Sequence, residues 1–204
     1  MESEQEPSTR SQSLVRKSKK LSWLLRHGAN EAGLPMDAAG WASIADVLRH
    51  TGLSRRQLDQ VVAENNKQRL EVRGDAIRCS QGHSTENMPV TRAALEASWT
   101  RVARAAPLFH GTRLDLVEPI VREGLHPMAR THVHLADSPT STVGKRASVA
   151  VLLEVDPVRL DGVWVSSNGV YLARSVPPAA LVGFRALTRR AKAEEPRLRG
   201  LFAR

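Results

Sequence analysis

The sequence predicts an α+β protein of two lobes, on three observations. Apolar residues recur at helical spacing over residues 14–63, with polar caps between the runs. A hairpin signature follows around Arg73-Gly74-Asp75-Ala76. Beyond Pro107 the texture changes to short apolar runs of strand length, set apart by turn residues. With 204 residues the chain has room for two small domains. The expected layout is a disordered stretch at 1–13, a winged-helix-like lobe at 14–85, a linker at 86–106, a strand-rich lobe at 107–188 and a charged, loosely held tail at 189–204.

Each element has its own signal. Leu14, Leu21, Leu24 and Leu25 make one face of a helix, and Arg16, Lys19, Lys20, Trp23, Arg26 and His27 make the opposite face. Gly28 stops it. In "LPMDAAGWASIADVLRH", Gly40 makes a turn and Ser43 or Asp46 opens a helix ending near His50. In "LSRRQLDQVVAEN", Ser54 is the N-cap and Leu58, Val61 and Val62 are the apolar positions of the next helix. "RLEVRGDAIRCS" reads as two short strands around a tight turn. "TRAALEASWTRVARAA" has helical character, and "LDLVEPIVREGL" is a helix with Pro119 in its first turns. The strand-like runs are "PLFHGT", "HVHLA", "SVAVLLEVD", "GVWVSS" and "GVYLA".

Composition narrows the function. The net charge of +9 and pI near 10.7 favour a nucleic acid, an anionic surface or a phosphorylated substrate. Cys79 is the single cysteine, so a disulfide framework or a Cys-based zinc site within one chain is excluded. No apolar run approaches the ~20 residues of a membrane span, and "MESEQEPSTRSQS" lacks the apolar core of a signal peptide. A cytoplasmic monomer is the expectation.

Several constellations could carry chemistry. Arg26-His27 sits at a helix C-terminus, where cations are favoured by the macrodipole and need no other purpose. It could equally grip an anion. "AIRCSQGHS" places Arg78 in a strand with Ile77 and Cys79 on the other face, next to Gln81, His83 and Ser84 around Gly82. An Arg fork beside hydrogen-bonding side chains suits a phosphate, though a strand entering a polar loop would look the same. "LFHGT" ends an apolar run on His110, Gly111 and Thr112, either a strand-to-turn transition or a cleft where glycine admits a flat ligand. His132 and His134 alternate on one strand face, but no third ligand stands at recognisable spacing, so no metal is expected. "TVGKRAS" places Lys145 and Arg146 after a glycine without the spacing of a P-loop, and no G-x-G-x-x-G follows a strand.

Taken in order, "LSWLLRHG", "GWASI", "NNKQRLEV", "IRCSQGHS", "LFHGT", "HVHLA", "VGKR" and "NGVYLARSVPP" closely resemble the Tpt1/KptA family of NAD-dependent RNA 2′-phosphotransferases, from about Lys19 to Leu187. The resemblance implies a C-terminal ADP-ribosyltransferase-like lobe with a split β-sheet that holds NAD⁺, with the RNA phosphate between the lobes. It implies removal of an internal 2′-phosphate of the tRNA splice-junction type. The family's essential Arg-His-Arg-Arg set falls on Arg26, His27, Arg78 and Arg146. Arg26, His27 and Arg78 are then expected at the RNA phosphate, and Arg146 at the second chemical step. His110, Gly111, Thr112, His132, His134 and Asn168 are expected around NAD⁺, and Lys67 and Arg69 among the phosphate contacts. Val170 falls where many protein-modifying ADP-ribosyltransferases place a catalytic glutamate, which argues against a protein acceptor. Cys79, Phe109 and Ala136 depart from the usual alanine, tyrosine and serine; the last two changes predict altered NAD affinity.

Two other readings stay open. "SIADVLRHTGLSRRQLDQVVAEN" would pass for a DNA-binding helix-turn-helix, although that leaves the second half unexplained. An NAD-dependent ADP-ribosyltransferase acting on another nucleic-acid phosphate or on protein is the other.

Overall fold

The computed structural model of the chain describes residues 9–65, 68–141 and 149–203. It is an α+β protein that divides into two compact units, residues 1–91 and 92–204.

The first unit begins with α1 (Thr9–His27), whose start lies five residues before the predicted Leu14 and within the stretch expected to be disordered. Its apolar face delivers Leu21, Leu24 and Leu25 to the core. A two-residue strand β1 (Ala42–Ser43) leads into α2 (Ile44–Thr51), which ends on Gly52 in the left-handed conformation at φ 69°. Ser54 then opens α3 (Arg55–Ala63) with a capping box: its hydroxyl accepts the Gln57 N–H, and the Gln57 side chain accepts the Ser54 N–H. The hairpin β2 (Leu70–Arg73) and β3 (Ala76–Cys79) turns at Gly74, φ 56°. β1 pairs on the far side of β3, giving the order β1-β3-β2. Leu25, Val47, Leu58 and Ile77, all fully buried, bring the three helices and the sheet onto one core.

The second unit contains more of the chain than the sequence signals suggest. The segment read as a linker supplies α4 (Arg92–Ser98) and β4 (Thr100–Val102), and β4 pairs with β8 (Val163–Val165). β5 (Leu108–Thr112), β7 (Val151–Val155) and β10 (Leu181–Ala186) form an antiparallel sheet in the order β10-β7-β5. β6 (Val133–Leu135) and β9 (Tyr171–Ala173) complete a second sheet, β4-β8-β9-β6. The two sheets meet at the bridge between Phe109 and Ala136, which exchange backbone bonds of 2.9 and 2.8 Å. α5 (Val117–Glu123) contains Pro119 in its first turn, where the missing N–H is harmless. The expected loose tail is instead α6 (Arg189–Ala193) and α7 (Glu195–Phe202), anchored by fully buried Ala191 and Leu198. These two apolar contacts turn a charged segment into part of the core.

One turn position can be tested directly. Gly124 ends α5 at φ 88° and ψ −174°, a conformation open essentially to glycine alone. A Cβ there would stand 2.4 Å from the Val176 carbonyl oxygen, next to the paired Leu125–Val176 backbone bonds. Gly124→Ala is expected to destabilise the second unit by on the order of 3 kcal/mol, read as a lowered urea midpoint with the m-value unchanged.

Candidate functional site

Helix α1 ends where the sequence predicts, and its end is tied to the loop after β3. The Ser84 N–H donates to the Arg26 carbonyl at 2.9 Å, satisfying an orphan acceptor of the helix terminus. Ser84 Oγ lies 2.6 Å from His27 Nδ1. Two local features, a helix stop and a tight loop at Gly82 (φ 90°), thereby bring Arg26-His27 beside Gln81-Gly82-His83.

Arg78 arrives from the sheet. Glu71 and Arg78 are equidistant from the turn, so the hairpin register sets them directly opposite each other. The carboxylate oxygen Oε2 of Glu71 accepts from Nε and from a terminal nitrogen of Arg78, both at 2.9 Å. Another terminal nitrogen donates to the Ala39 carbonyl at 3.2 Å, and the guanidinium lies 4.6 Å from the Trp41 ring centre. Strand alternation predicts one open face here, yet Ile77, Arg78 and Cys79 are all buried, with Arg78 only 2 % exposed. This Arg is positioned from several sides, and so little rotamer freedom is left to lose when a ligand binds.

At the centre lies His83, fully buried, with neither ring nitrogen hydrogen-bonded among the described residues. Gly40, at φ 86°, lets the ring rest on the main chain: a Cβ at residue 40 would be 2.8 Å from Nε2. Burial, then the charges of Arg26, Arg78 and His27, push the imidazole down to about 3, so it is neutral at pH 7. The same cations reach their neighbours. Burial and then Arg26 lower Arg69, while burial raises the Cys79 thiol to about 11 against the pull of Arg26 and Arg69. Cys79 is therefore a core thiol and no nucleophile at neutral pH. Leaving a buried imidazole unpaired costs about 1–3 kcal/mol. Two guanidinium groups and the His27 imidazole around such a ring suit a multiply charged oxyanion.

The structure thus brings Arg26, His27, Arg69 and Arg78 together in the first unit. Arg146 and Lys67 lie outside the described residues. The sequence marks His83 only as part of a polar loop and Gly40-Trp41 only as a turn and a motif, without their contacts to His83 and Arg78, and Glu71 is not singled out; the symmetry of Glu71 and Arg78 about the turn is the available signal.

The second unit holds the other candidates. On β5, the His110 Nδ1–H donates to the His134 carbonyl at 3.1 Å, which makes Nδ1 the protonated nitrogen and orients the ring. Gly111 passes so close to Val149 that a Cβ would come within 2.6 Å of its Cγ2, and Thr112 is buried. Asn168 is in the β8–β9 turn, its Oδ1 2.8 Å from Ser166 Oγ. His132 stands apart from the expected pairing with His134. It precedes β6 and is enclosed by Trp99 and Trp164, edge-on at 5.0 and 6.0 Å, with Nε2 3.0 Å from Glu96. Arg174 holds both oxygens of that carboxylate at 2.8 Å, and this pairing first, then the His132 contact, lowers Glu96 to about 2. Among the described residues, no three His, Cys, Asp or Glu side chains are placed to share a metal ion, and no helix is long and apolar enough to cross a membrane.

Guanidinium groups gathered at a buried imidazole are suited to binding an anion. The profile described as "RNA 2'-phosphotransferase, Tpt1 / KptA family" matches residues 12–175. A relative from Streptomyces griseus, named a probable RNA 2′-phosphotransferase, is 38% identical over 82% of this chain and 95% of its own length. Relatives of the same name from Agrobacterium fabrum and Streptomyces coelicolor are 38% and 40% identical, over 78% and 80% of this chain and 89% and 91% of theirs. The chain belongs to the Tpt1/KptA family.

Proposed function

We propose that the chain is an RNA 2′-phosphotransferase that removes an internal, splice-junction-type 2′-phosphate from RNA and transfers it to NAD⁺ as second substrate. The observation that carries this reading is the gathering of Arg26, His27 and Arg78 on neutral His83, within the segment shared with relatives named for that activity. A 2′-phosphate brings up to two negative charges, and guanidinium groups stay ionised and bind them in bidentate fashion.

In this reading a 2′-phosphate oxygen attacks C1″ of the nicotinamide ribose and nicotinamide leaves with the C1″–N bond pair. The 2″-hydroxyl, losing its proton, then attacks phosphorus; the RNA 2′-oxygen leaves and takes a proton. The products are 2′-OH RNA and ADP-ribose 1″,2″-cyclic phosphate. Arg26 and Arg78 hold the RNA phosphate, Arg69 stands with them, and Lys67 is a further phosphate contact. His27, poised by Ser84, holds the same phosphate and exchanges the proton. Arg146 stabilises charge in the second step. Half-buried His110, anchored through Nδ1, fits a ribose hydroxyl; with Gly111, Thr112, His134 and Asn168 it makes the NAD⁺ side. His132, next to β6 and bonded to Glu96, holds the start of the strand that bears His134. Phe109 and Ala136 are both buried, so the absent hydroxyls would have to find partners inside the unit. Val170 is 1 % exposed, which leaves no carboxylate at that position to activate a protein acceptor. The enzyme acts as a cytoplasmic monomer on tRNA-like RNA.

The test is incubation of RNA carrying a labelled internal 2′-phosphate with NAD⁺. The label is expected to leave as ADP-ribose cyclic phosphate together with nicotinamide. Arg146→Ala is expected to release nicotinamide and accumulate ADP-ribosylated RNA, the second step being slowed about a hundredfold or more. Nicotinamide release with the label retained by wild type would favour an ADP-ribosyltransferase of another acceptor.

A further inference from the structure

The exposed face of α1 ahead of Arg26 takes no part in the chemistry above, yet its composition is specific. Along its last three turns Leu21, Ser22, Leu24 and Leu25 are buried. Arg16, Lys19, Lys20 and Trp23 fall on the opposite face at spacings of three and four and lead to Arg26 and His27. At 100° per residue these six lie within an arc of about 120°.

Trp23 is 46 % exposed, an unusual position for an indole with no core to serve. It is also held in place. A Cβ on Gly28 would stand 2.4 to 2.8 Å from three atoms of its six-membered ring, so the indole lies on the bare main chain just past the helix end. Gly28 does not have a positive φ; its lack of a side chain matters here for this contact. Lys20 is tethered to the Thr51 carbonyl at 3.1 Å. Arg16 and Lys19, among the described residues, make no ion pair or side-chain hydrogen bond. A fixed aromatic platform between basic side chains is the combination that binds single-stranded nucleic acid: bases stack on the ring and phosphates meet the cations.

We infer that the Arg16–Lys19–Trp23 face of α1 is a docking track for the single-stranded RNA flanking the 2′-phosphate, with Trp23 stacking a nucleobase. This rests on the reading that the 2′-phosphate binds at Arg26 and His27. From Arg16 to His27 the helix rises about 16 Å, enough for a few nucleotides beyond the reacting one. The strand runs up the helix, away from the chemistry.

Two substrates separate this track from the catalytic site: a single-stranded RNA with an internal 2′-phosphate and several nucleotides on each side, and a 2′-phosphorylated dinucleotide. On the long RNA, Trp23→Ala is expected to raise KM about tenfold, within the range of one lost stacking contact. Its kcat and its KM for NAD⁺ should stay unchanged, and Trp23→Phe should recover most of the loss. Arg16→Gln/Lys19→Gln should reduce the slope of log Kd against log salt by about 1.4. On the dinucleotide all variants should match wild type. Wild-type behaviour of both Trp23→Ala and the charge variant on long RNA overturns the track. So does an equal effect on the dinucleotide, which would place the role of Trp23 at the helix end, or equal competition by polyglutamate. Should Trp23→Ala fail to fold, the Arg16→Gln/Lys19→Gln variant decides through its salt slope. Binding of labelled long RNA is measured in parallel. A wild type that binds it through Trp23 but releases no phosphate supports the track while rejecting the proposed reaction.

Discussion

Arg78→Ala is expected to lower kcat/KM for 2′-phosphorylated RNA by at least a hundred- to a thousandfold, about the effect of removing one charged group that stabilises a transition state. The side chain is held by Glu71, the Ala39 carbonyl and the Trp41 face, so it meets its ligand without reorganisation. Arg78→Lys keeps a charge but loses the planar fork, and should recover only a minor part of the rate. The same change also affects the fold. Removing one member of a buried ion pair costs ~3–5 kcal/mol when the other is left enclosed; Glu71 keeps 22% of its side chain exposed, so a smaller loss, on the order of 2 kcal/mol, is expected. Arg78→Ala/Glu71→Ala separates the two effects. It should regain most of the stability, because no carboxylate is stranded, and remain inactive. Recovery of activity in the double variant would show that Arg78 only neutralises Glu71.

Acid is expected to destabilise the first unit through His83. In the unfolded chain the imidazole takes a proton near pH 6.5, whereas in the folded chain burial, Arg26, Arg78 and His27 hold it at about 3. Between those values only the unfolded state binds that proton. Stability is therefore fully present above pH 6.5 and is lost as the pH falls toward 3, by at most about 1.4 kcal/mol per unit for this one group. In the second unit His132, also lowered by burial, acts in the same direction, and Glu96, at about 2, adds a loss of the same sign below pH 4.5. Urea unfolding at pH 5 and 7 isolates the His83 part by comparison with His83→Asn, whose stability should change less between the two. Equal losses in both proteins would rule the effect out. Inorganic phosphate should counteract it in part in wild type, since an anion beside Arg26 and Arg78 offsets the charge that adds to burial in keeping His83 neutral.

Much of the first unit was legible because its signals are local. Ser54 and Gln57 announce α3 within four residues, Gly52 ends α2, and the Gly74 turn fixes a register that pairs Glu71 with Arg78. Five strands of the second unit stood out as apolar runs. β4, β10 and the closing helices did not: β4 is three residues long and is held by pairing with β8, β10 follows a proline-rich turn and is held by pairing with β7, and the charged closing helices are anchored by buried Ala191 and Leu198. The short motifs located the Arg and His residues without their environment. Spacing set His132 beside His134, whereas enclosure by Trp99, Trp164 and Glu96 assigns it to an internal network.

By itself the sequence determined the family, the basic character and the positions of the cationic side chains, since each depends on residue identity and on neighbours a few places away. Tertiary structure alone decided that Arg78 is buried, that His83 is neutral and unpaired, and that the six-membered ring of Trp23 packs against Gly28. Burial and Coulomb interaction depend on distance in space, and chain segments dozens of residues apart supply both.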